Sequence, residues 1–258
     1  MSGKVYLLGA GPGDPELLTL KAARLLAQAE VVLHDALVSR EVLRMISPTA
    51  EVIDVGKRAG RKLLAQDEIN ALLVSYAQTR KTVVRLKGGD PSIFGRAGEE
   101  IEALRRARLE YEIVPGITAA LGAAAAAGIS LTDRRIASQI LLATFSRGSD
   151  GSVMDWGCVT SATTLVLYMP GAEYTEVSQR LLEGGLPADL PCVIVSKATD
   201  SSQNVRWSNV GRLAAEQKLP APALLIVGRV ASHEVEDLRT SFWPGDGKNL
   251  NPPQISVI

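Results

Sequence analysis

The sequence predicts an α/β fold in two blocks, and three observations support this. Short apolar, β-branched runs alternate with helical runs through the first half of the chain, which favours βαβ units and a mostly parallel sheet. A second series of strands begins near residue 137. Glycine-rich loops follow two of the predicted strands, and open α/β sheets bind ligands at the carboxyl ends of their strands. We therefore expect two α/β domains and a ligand-binding cleft.

The predicted elements define the two blocks. In the first block the strands are residues 5–8, 30–34, 51–55, 82–86 and 111–114, and the helices are residues 16–29, 40–46, 66–79, 97–107 and 117–127. In the second block the strands are residues 138–145, 164–169, 192–196, 205–207 and 223–227, and the helices are residues 173–183 and 209–217. We expect domains at residues 1–116 and 117–242, followed by a loose tail over residues 243–258, where periodicity ends.

Composition excludes several classes of protein. Of the 258 residues, 46% are apolar and 22% are charged, as in ordinary soluble globular proteins. The 28 acidic and 28 basic residues cancel, so no overall field attracts nucleic acid or a membrane surface. No segment resembles a signal peptide or a membrane span, which predicts a cytoplasmic protein. Cys158 and Cys192 are predicted to be buried free thiols, and no His/Cys cluster has metal-ligand spacing.

The first glycine loop follows the strand at residues 5–8. Its sequence is Gly-Ala-Gly-Pro-Gly-Asp-Pro over residues 9–15, in which Asp14 suits an N-cap and Pro15 the first turn of a helix. A dinucleotide-binding fingerprint needs glycine where Asp14 stands and does not tolerate Pro12, so the loop is a poor pyrophosphate cradle. A structural turn and a ligand-binding loop are both consistent with this sequence.

The second glycine loop is the most informative segment of the chain. The strand at residues 82–86 breaks at Gly88 and Gly89, where the absence of Cβ atoms lets a ligand approach the backbone. Asp90 and Pro91 fix the exit from the turn and supply a carboxylate that either caps a helix or holds a polar ligand. Two such loops at separate strand ends indicate a binding cleft.

Polar side chains near these loops are candidates for chemistry. Arg96 and Glu99 are three residues apart on the predicted helix, away from its apolar stripe, and form either a surface ion pair or part of the cleft. Asp35 follows the second strand, as a turn residue or as a group facing the cleft. Met169 ends a later strand, where methionine is either core or a ligand contact.

Basic residues gather in two places. Residues 57–62, which include Arg58, and Arg134 with Arg135 suit either solvated loops or a positive mouth for a polyanionic ligand.

Several segments in order resemble the tetrapyrrole (corrin and porphyrin) methyltransferases, and among them the uroporphyrinogen-III C-methyltransferases. They are VYLLGAGPGDPELLTLKA (residues 5–22), HDALVS (34–39), VGKRAG (55–60), RLKGGDPSIFGRAGEE (85–100), VPGITAALGAAAAAGISLTDR (114–134), LVLYM (165–169) and APALLIVG (221–228). Each segment alone is modest evidence for the family, but all of them in this order are highly specific for it. The segments DALVS and VGKRAG favour the uroporphyrinogen enzymes over relatives that act on precorrins.

The resemblance implies two α/β half-domains that clamp S-adenosylmethionine in the cleft between them, in a homodimer. It implies two methylations of uroporphyrinogen III, giving precorrin-1 and then precorrin-2 for siroheme, cobalamin or haem d1, with S-adenosylhomocysteine as the other product. The implied cofactor contacts are Pro12, Gly88, Gly89, Asp90, Ile93, Thr118, Ala119, Met169, Ala198 and Ala223. The implied substrate side comprises Asp35, Arg96, Glu99 and Arg134, with Met169 and the loop residue Arg58 beside them.

A proton must leave the macrocycle, and the family assigns its removal to an arginine that matches Arg96. A guanidinium is essentially always protonated, so Glu99 as the base, or Arg96 as an electrostatic anchor, is chemically easier. Ser92, Phe145 and Lys197 depart from the residues usual in the family.

Three other functions compete with this interpretation. One is a sister enzyme on the same fold, such as a precorrin-4 methyltransferase or diphthine synthase. A nicotinamide-dependent oxidoreductase is opposed by the missing G-x-G-x-x-G. A non-catalytic S-adenosylmethionine-binding regulator is opposed by the retained Arg96, Glu99 and Arg134.

Overall fold

Two five-stranded sheets form the framework of this chain in a computed structural model, which describes residues 3–56, 64–79, 81–145, 154–171 and 173–232. In the first half the strands are β1 (Lys4–Gly9), β2 (Val31–His34), β3 (Glu51–Asp54), β4 (Val83–Lys87) and β5 (Glu110–Val114), and the helices are α1 (Leu20–Gln28), α2 (Arg40–Leu43), α3 (Gln66–Gln78), α4 (Ala97–Arg106) and α5 (Ala119–Ala126). The second half contains β6 (Gln139–Thr144), β7 (Thr163–Tyr168), α6 (Tyr174–Glu183), β8 (Pro191–Ser196), β9 (Asn204–Asn209) and β10 (Ala223–Val227).

The first sheet is parallel throughout and has the order β3-β2-β4-β1-β5. The chain leaves β1 for β2 on one side and leaves β4 for β5 on the other, so β1 and β4 flank the point where the strand order reverses. A crevice outside the carboxyl ends of two such strands is the usual ligand site of an open α/β sheet. The predicted α/β fold class is confirmed, and both glycine loops lie at this position.

Side chains of the first sheet alternate between two cores. Leu8 and Val84 pack with α1 on one face, whereas Leu7 and Val83 pack with α3 and α4 on the other. Both faces are covered, which explains why these strands are almost continuously apolar. Each fully buried leucine contributes roughly 1.5–3 kcal/mol.

The second sheet is mixed and has the order β6-β7-β10-β8-β9. Strands β6 and β7 are parallel, whereas β10 is antiparallel to both β7 and β8, and β8 is antiparallel to β9. Helix α6 covers one face and α5 the other. The domain boundary after residue 116 stays a prediction, and the tail at residues 243–258 lies outside the described residues.

The helix predicted over residues 16–29 is wrong in its first turns. Pro15–Leu17 forms a short 3₁₀ helix, capped by the side chain of Asp14, which accepts a hydrogen bond from the amide of Glu16. Leu18 and Thr19 are extended, and α1 begins after Thr19, whose hydroxyl accepts a hydrogen bond from the amide of Ala22. A local N-cap therefore starts a new helix within one apolar pattern.

The helix predicted over residues 209–217 is also wrong. Strand β9 continues to Asn209, because its pairing with β8 extends to Pro191. The Asn209 side chain then accepts a hydrogen bond from the amide of Arg212 at 2.9 Å, which makes a turn. Only a 3₁₀ helix, Leu213–Ala215, follows.

The prediction of two buried thiols is half correct. Cys192 lies fully buried in β8, and burial raises the pKa of its thiol to about 12. Cys158 is exposed at the end of a 3₁₀ helix, where the next residue, Val159, faces the core instead. In the described part of the chain, no helix has the length and apolar character needed to cross a membrane.

Candidate active site

The two glycine loops bind each other directly. The amide of Gly89 donates to the carbonyl of Gly11 at 2.8 Å, and the amide of Gly11 donates to the carbonyl of Gly89 at 3.2 Å. Gly89 has a φ of +68°, which favours glycine. A Cβ added to Gly89 would lie 3.4 Å from the amide nitrogen of Ala119, so this loop also lies against the start of α5.

Asp90 connects two loops of the first domain. Its Oδ1 accepts a hydrogen bond from the amide of Ser92 at 2.8 Å, and its Oδ2 accepts one from the amide of Gly116 at 3.0 Å. Both carboxylate oxygens therefore have backbone partners, and the side chain fixes the loop after β4 to the loop after β5.

The first glycine loop lies against α5, which packs on the second sheet, and against the segment after β8. A Cβ added to Gly122 of α5 would lie 2.5 Å from the Cβ of Pro12, so these residues are in direct contact. The amide of Asp14 donates to the hydroxyl of Thr199 at 3.1 Å, which joins the loop to the segment after β8. The loops after β1, β4 and β8 thus meet in one place.

Tyr168, at the end of β7, is a site residue that sequence reasoning missed. Its hydroxyl lies 2.5 Å from the hydroxyl of Thr118 and accepts a hydrogen bond from the amide of Ala120 at 3.1 Å. Its ring centroid lies 4.9 Å from that of Phe94 in the second glycine loop. One indication that Tyr168 belongs to the site was present in the sequence, because this residue directly precedes Met169 at the end of a predicted strand.

Backbone strain is concentrated around these loops. Of the six non-glycine residues with positive φ in the described chain, five follow β4, β7 or β8; they are Phe94, Arg96, Met169, Lys197 and Thr199. Such conformations cost on the order of 1–3 kcal/mol each and are typical of functional sites.

The structure brings the loops with the predicted cofactor residues together. Ile93 packs against the core of the second domain, and Met169 is half exposed directly after Tyr168. Ala198 lies between Lys197 and Thr199, and Ala223 pairs with Ser196 at the end of β8. That each of these residues contacts the cofactor stays a prediction.

Arg96 and Glu99 form a bidentate ion pair at the rim of this site. Arg96 Nε donates to Glu99 Oε1 and Arg96 Nη2 to Glu99 Oε2, both at 2.7 Å. This bond lowers the pKa of Glu99 and raises that of Arg96. Arg96 directly precedes α4 in a left-handed conformation, so the predicted helix start at residue 97 is confirmed and the ion pair joins the end of the second glycine loop to the first turn of the helix. Both side chains are exposed, so they point away from the core as expected.

A network of buried charges lies beneath the cleft, and sequence reasoning missed most of it. Arg85 of β4 binds Asp35 through Nη2 and Glu100 through Nε, and Lys87 Nζ lies 2.9 Å from the same oxygen of Glu100. Burial and the nearby Arg85 lower the pKa of Lys87. For Arg85, the effect of burial is outweighed by Asp35 and Glu100, which raise its pKa. Asp35 is thus held by cations at the end of β2.

For the remaining predicted residues, the structure gives little information about a role in the site. Arg134 is exposed in the turn between Asp133 and Ala137, and its substrate role stays a prediction. Arg58 lies outside the described residues. Lys197, a departure from the family pattern, donates to the hydroxyl of Ser202 at 3.1 Å. Among the residues described, no group of three or more His, Cys, Asp or Glu is placed to hold a metal ion.

Comparisons with known proteins agree with this arrangement. The profile of the Tetrapyrrole (Corrin/Porphyrin) Methylases matches residues 4–214. The chain is 48% identical over 235 residues to a uroporphyrinogen-III C-methyltransferase of Paracoccus denitrificans, covering 89% of this chain and 82% of the relative. It is 46% identical over 230 residues to a siroheme synthase of Actinobacillus pleuropneumoniae, covering 88% of this chain and 47% of that protein. The chain thus spans about half the length of that siroheme synthase.

One solved structure resembles the fold closely. It is the uroporphyrin-III C-methyltransferase of Thermus thermophilus complexed with S-adenosylhomocysteine, at a TM-score of 0.78 and 39% identity, covering 88% of this chain and 98% of that one. With parallel and mixed sheets joined at glycine loops, and a family profile that matches most of its length, this chain belongs to the tetrapyrrole methylase family.

Proposed function

We propose that this chain is an S-adenosylmethionine-dependent methyltransferase that methylates uroporphyrinogen III at two pyrrole carbons, giving precorrin-1 and then precorrin-2. The observation that carries the proposal is the meeting of the loops after β1, β4, β7 and β8, with Gly11 bonded to Gly89 and Pro12 in contact with Gly122. The names of the Paracoccus denitrificans relative and of the Thermus thermophilus structure support the same substrate.

The residues present fit the proposed cofactor. The backbone of Gly89 lacks a Cβ that would fill the space toward Ala119, and the nearby loops offer backbone groups and small side chains such as Ala198. When bound, S-adenosylmethionine supplies the methyl group. The strained loops hold their residues in fixed positions, and positioning of reactants is a large part of catalysis in such transfers.

Uroporphyrinogen III carries eight carboxylates, and an exposed guanidinium can bind a carboxylate. Arg96 is 59% exposed and its planar fork matches carboxylates, so we assign it to anchoring the macrocycle. Glu99 is a weak base because its bond to Arg96 lowers its pKa. We assign acceptance of the proton to Asp35 from its position, because its carboxylate is 30% exposed at the end of β2, beside the loops that meet there.

We further expect the enzyme to act in the cytoplasm as a homodimer, without metal or nucleic acid. The sequence carries no net charge, which supports the last expectation. Sedimentation of the purified protein measures the oligomeric state, and a monomer at assay concentrations would contradict the dimer.

The test is anaerobic incubation of the purified protein with uroporphyrinogen III and S-adenosylmethionine, followed by absorption and mass spectrometry. We expect the mass of two added methyl groups, and an unchanged macrocycle would overturn the proposal. Arg96→Ala should lower kcat/KM for uroporphyrinogen III at least about tenfold, because a carboxylate contact is lost, while affinity for S-adenosylhomocysteine changes less than about twofold. Arg106→Ala is the matched control, because Arg106 is an exposed arginine of α4 that pairs with Glu102.

A further inference from the structure

Four charged side chains form a connected path from the core of the first domain to its cleft. Glu100 of α4 is fully buried, Arg85 and Lys87 of β4 are almost fully buried, and the side chain of Asp35 is 30% exposed. Arg85 Nε lies 2.8 Å and Lys87 Nζ 2.9 Å from Glu100 Oε1. At the other end of the path, Arg85 Nη2 lies 2.5 Å from Asp35 Oδ1 and Lys87 Nζ 3.9 Å from Asp35 Oδ2.

These cations occupy an unusual position. Side chains alternate across a strand, so Arg85 and Lys87 share the face of β4 that carries Val83, which packs in the core under α3 and α4. Glu100 lies on the inner side of α4, between the buried residues Ala97 and Leu104. Apolar residues of similar volume often serve stability equally well, so stability alone is a weak reason for this network.

The network contains two cations and two carboxylates, but only one of the two oxygens of Glu100 accepts hydrogen bonds from the described part of the chain. Glu100 Oε1 accepts hydrogen bonds from Arg85, from Lys87 and, at 3.4 Å, from Gln66. Its other oxygen is buried and has no hydrogen-bond partner among the residues described. The two cations thus face two carboxylates, and Glu100 competes with Asp35 for both cations.

We propose that Glu100 and Lys87 are positioning residues that act through Asp35, a role that rests on the function proposed above. Glu100 draws Lys87 toward α4, so that Asp35 is held chiefly by Arg85 and keeps its exposed edge toward the cleft. Without the charge of Glu100, Asp35 becomes the only carboxylate of the network, and both cations draw it inward. Without the charge of Lys87, Glu100 and Asp35 compete for Arg85 alone.

The test is reciprocal rescue of methyl transfer. Glu100→Gln and Lys87→Met should each lower kcat at least about tenfold, because each leaves the network unbalanced. The double variant restores the balance, because Arg85 then faces Asp35 and donates to the neutral amide carbonyl introduced on α4. Its kcat should lie within about threefold of wild type. Affinity for S-adenosylhomocysteine, measured by calorimetry, should change less than about twofold in all three variants.

Glu102→Gln on the exposed side of α4 is the matched control and should leave kcat unchanged. If Glu100→Gln alone does not fold, the comparison of Lys87→Met with the double variant carries the same test. A double variant no more active than the weaker single variant, or singles with wild-type kcat, would overturn the positioning role. A wild-type protein that fails to methylate uroporphyrinogen III contradicts instead the proposed function.

Discussion

At the residue scale, Gly89 combines a left-handed backbone with hydrogen bonds to the other glycine loop. A side chain is disfavoured at its positive φ, and a Cβ there would come into van der Waals contact with the start of α5. The sequence identified this position because two adjacent glycines follow a strand. It did not identify Glu100, because one glutamate in a charged helix looks like a solvated residue until the packing of α4 is known.

We predict that Gly89→Ala lowers affinity for S-adenosylhomocysteine at least about tenfold, because a side chain at this φ costs roughly 1–2 kcal/mol and displaces the loop. Calorimetric titration measures the effect. The control is Gly98→Ala in α4, where a Cβ meets no heavy atom within 4 Å. That change should raise the free energy of unfolding by about 0.5–1 kcal/mol and leave binding unchanged. Wild-type affinity in Gly89→Ala would refute the role given to this loop.

At the element scale, local capping decided where α1 begins. The apolar pattern predicted one helix over residues 16–29, but the hydroxyl of Thr19 caps a helix that starts at Leu20. The spacing of apolar residues shows which face of a segment is buried, but it does not show where one helix ends and the next begins. By contrast, the alanine-rich α5 was predicted almost to its bounds, because propensity and burial favour the same structure there.

We predict that Thr19→Ala lowers the free energy of unfolding by about 1 kcal/mol, because the amide of Ala22 loses its side-chain partner. Thr19→Ser retains the acceptor and should differ from wild type by only about a few tenths of a kcal/mol. Urea denaturation followed by circular dichroism measures both values. Equal stabilities of the Ala and Ser variants would show that the cap contributes nothing.

At the scale of the whole molecule, the site depends on contact between the two sheets' loops. Pro12 contacts Gly122 of α5, and the amide of Asp14 donates to Thr199 beyond β8. The resemblance implied that residues such as Pro12 and Ala198 share one cleft, but not that Pro12 would contact Gly122 or that Asp14 would bond to Thr199. These contacts join residues more than a hundred positions apart, which no local pattern encodes.

We predict that Gly122→Val lowers affinity for S-adenosylhomocysteine at least about tenfold, because its Cβ would lie 2.5 Å from the Cβ of Pro12 and force α5 away from the first loop. Ala125→Val introduces the same side chain at an exposed position of the same helix and serves as the control. We expect the control to bind within about twofold of wild type. Comparable affinities for both variants would mean that the Pro12 contact does not shape the site.

By itself, the sequence determined the α/β class, most strands, the two glycine loops and the family, because these follow from periodicity, from the conformational freedom of glycine and from ordered motifs. Only the tertiary structure decided that Gly11 bonds to Gly89, that Tyr168 binds Thr118, and that Arg85 and Lys87 join Glu100 to Asp35. The physical reason is that burial and pairing of charges are properties of packed surfaces, and those surfaces exist only after distant segments have come together.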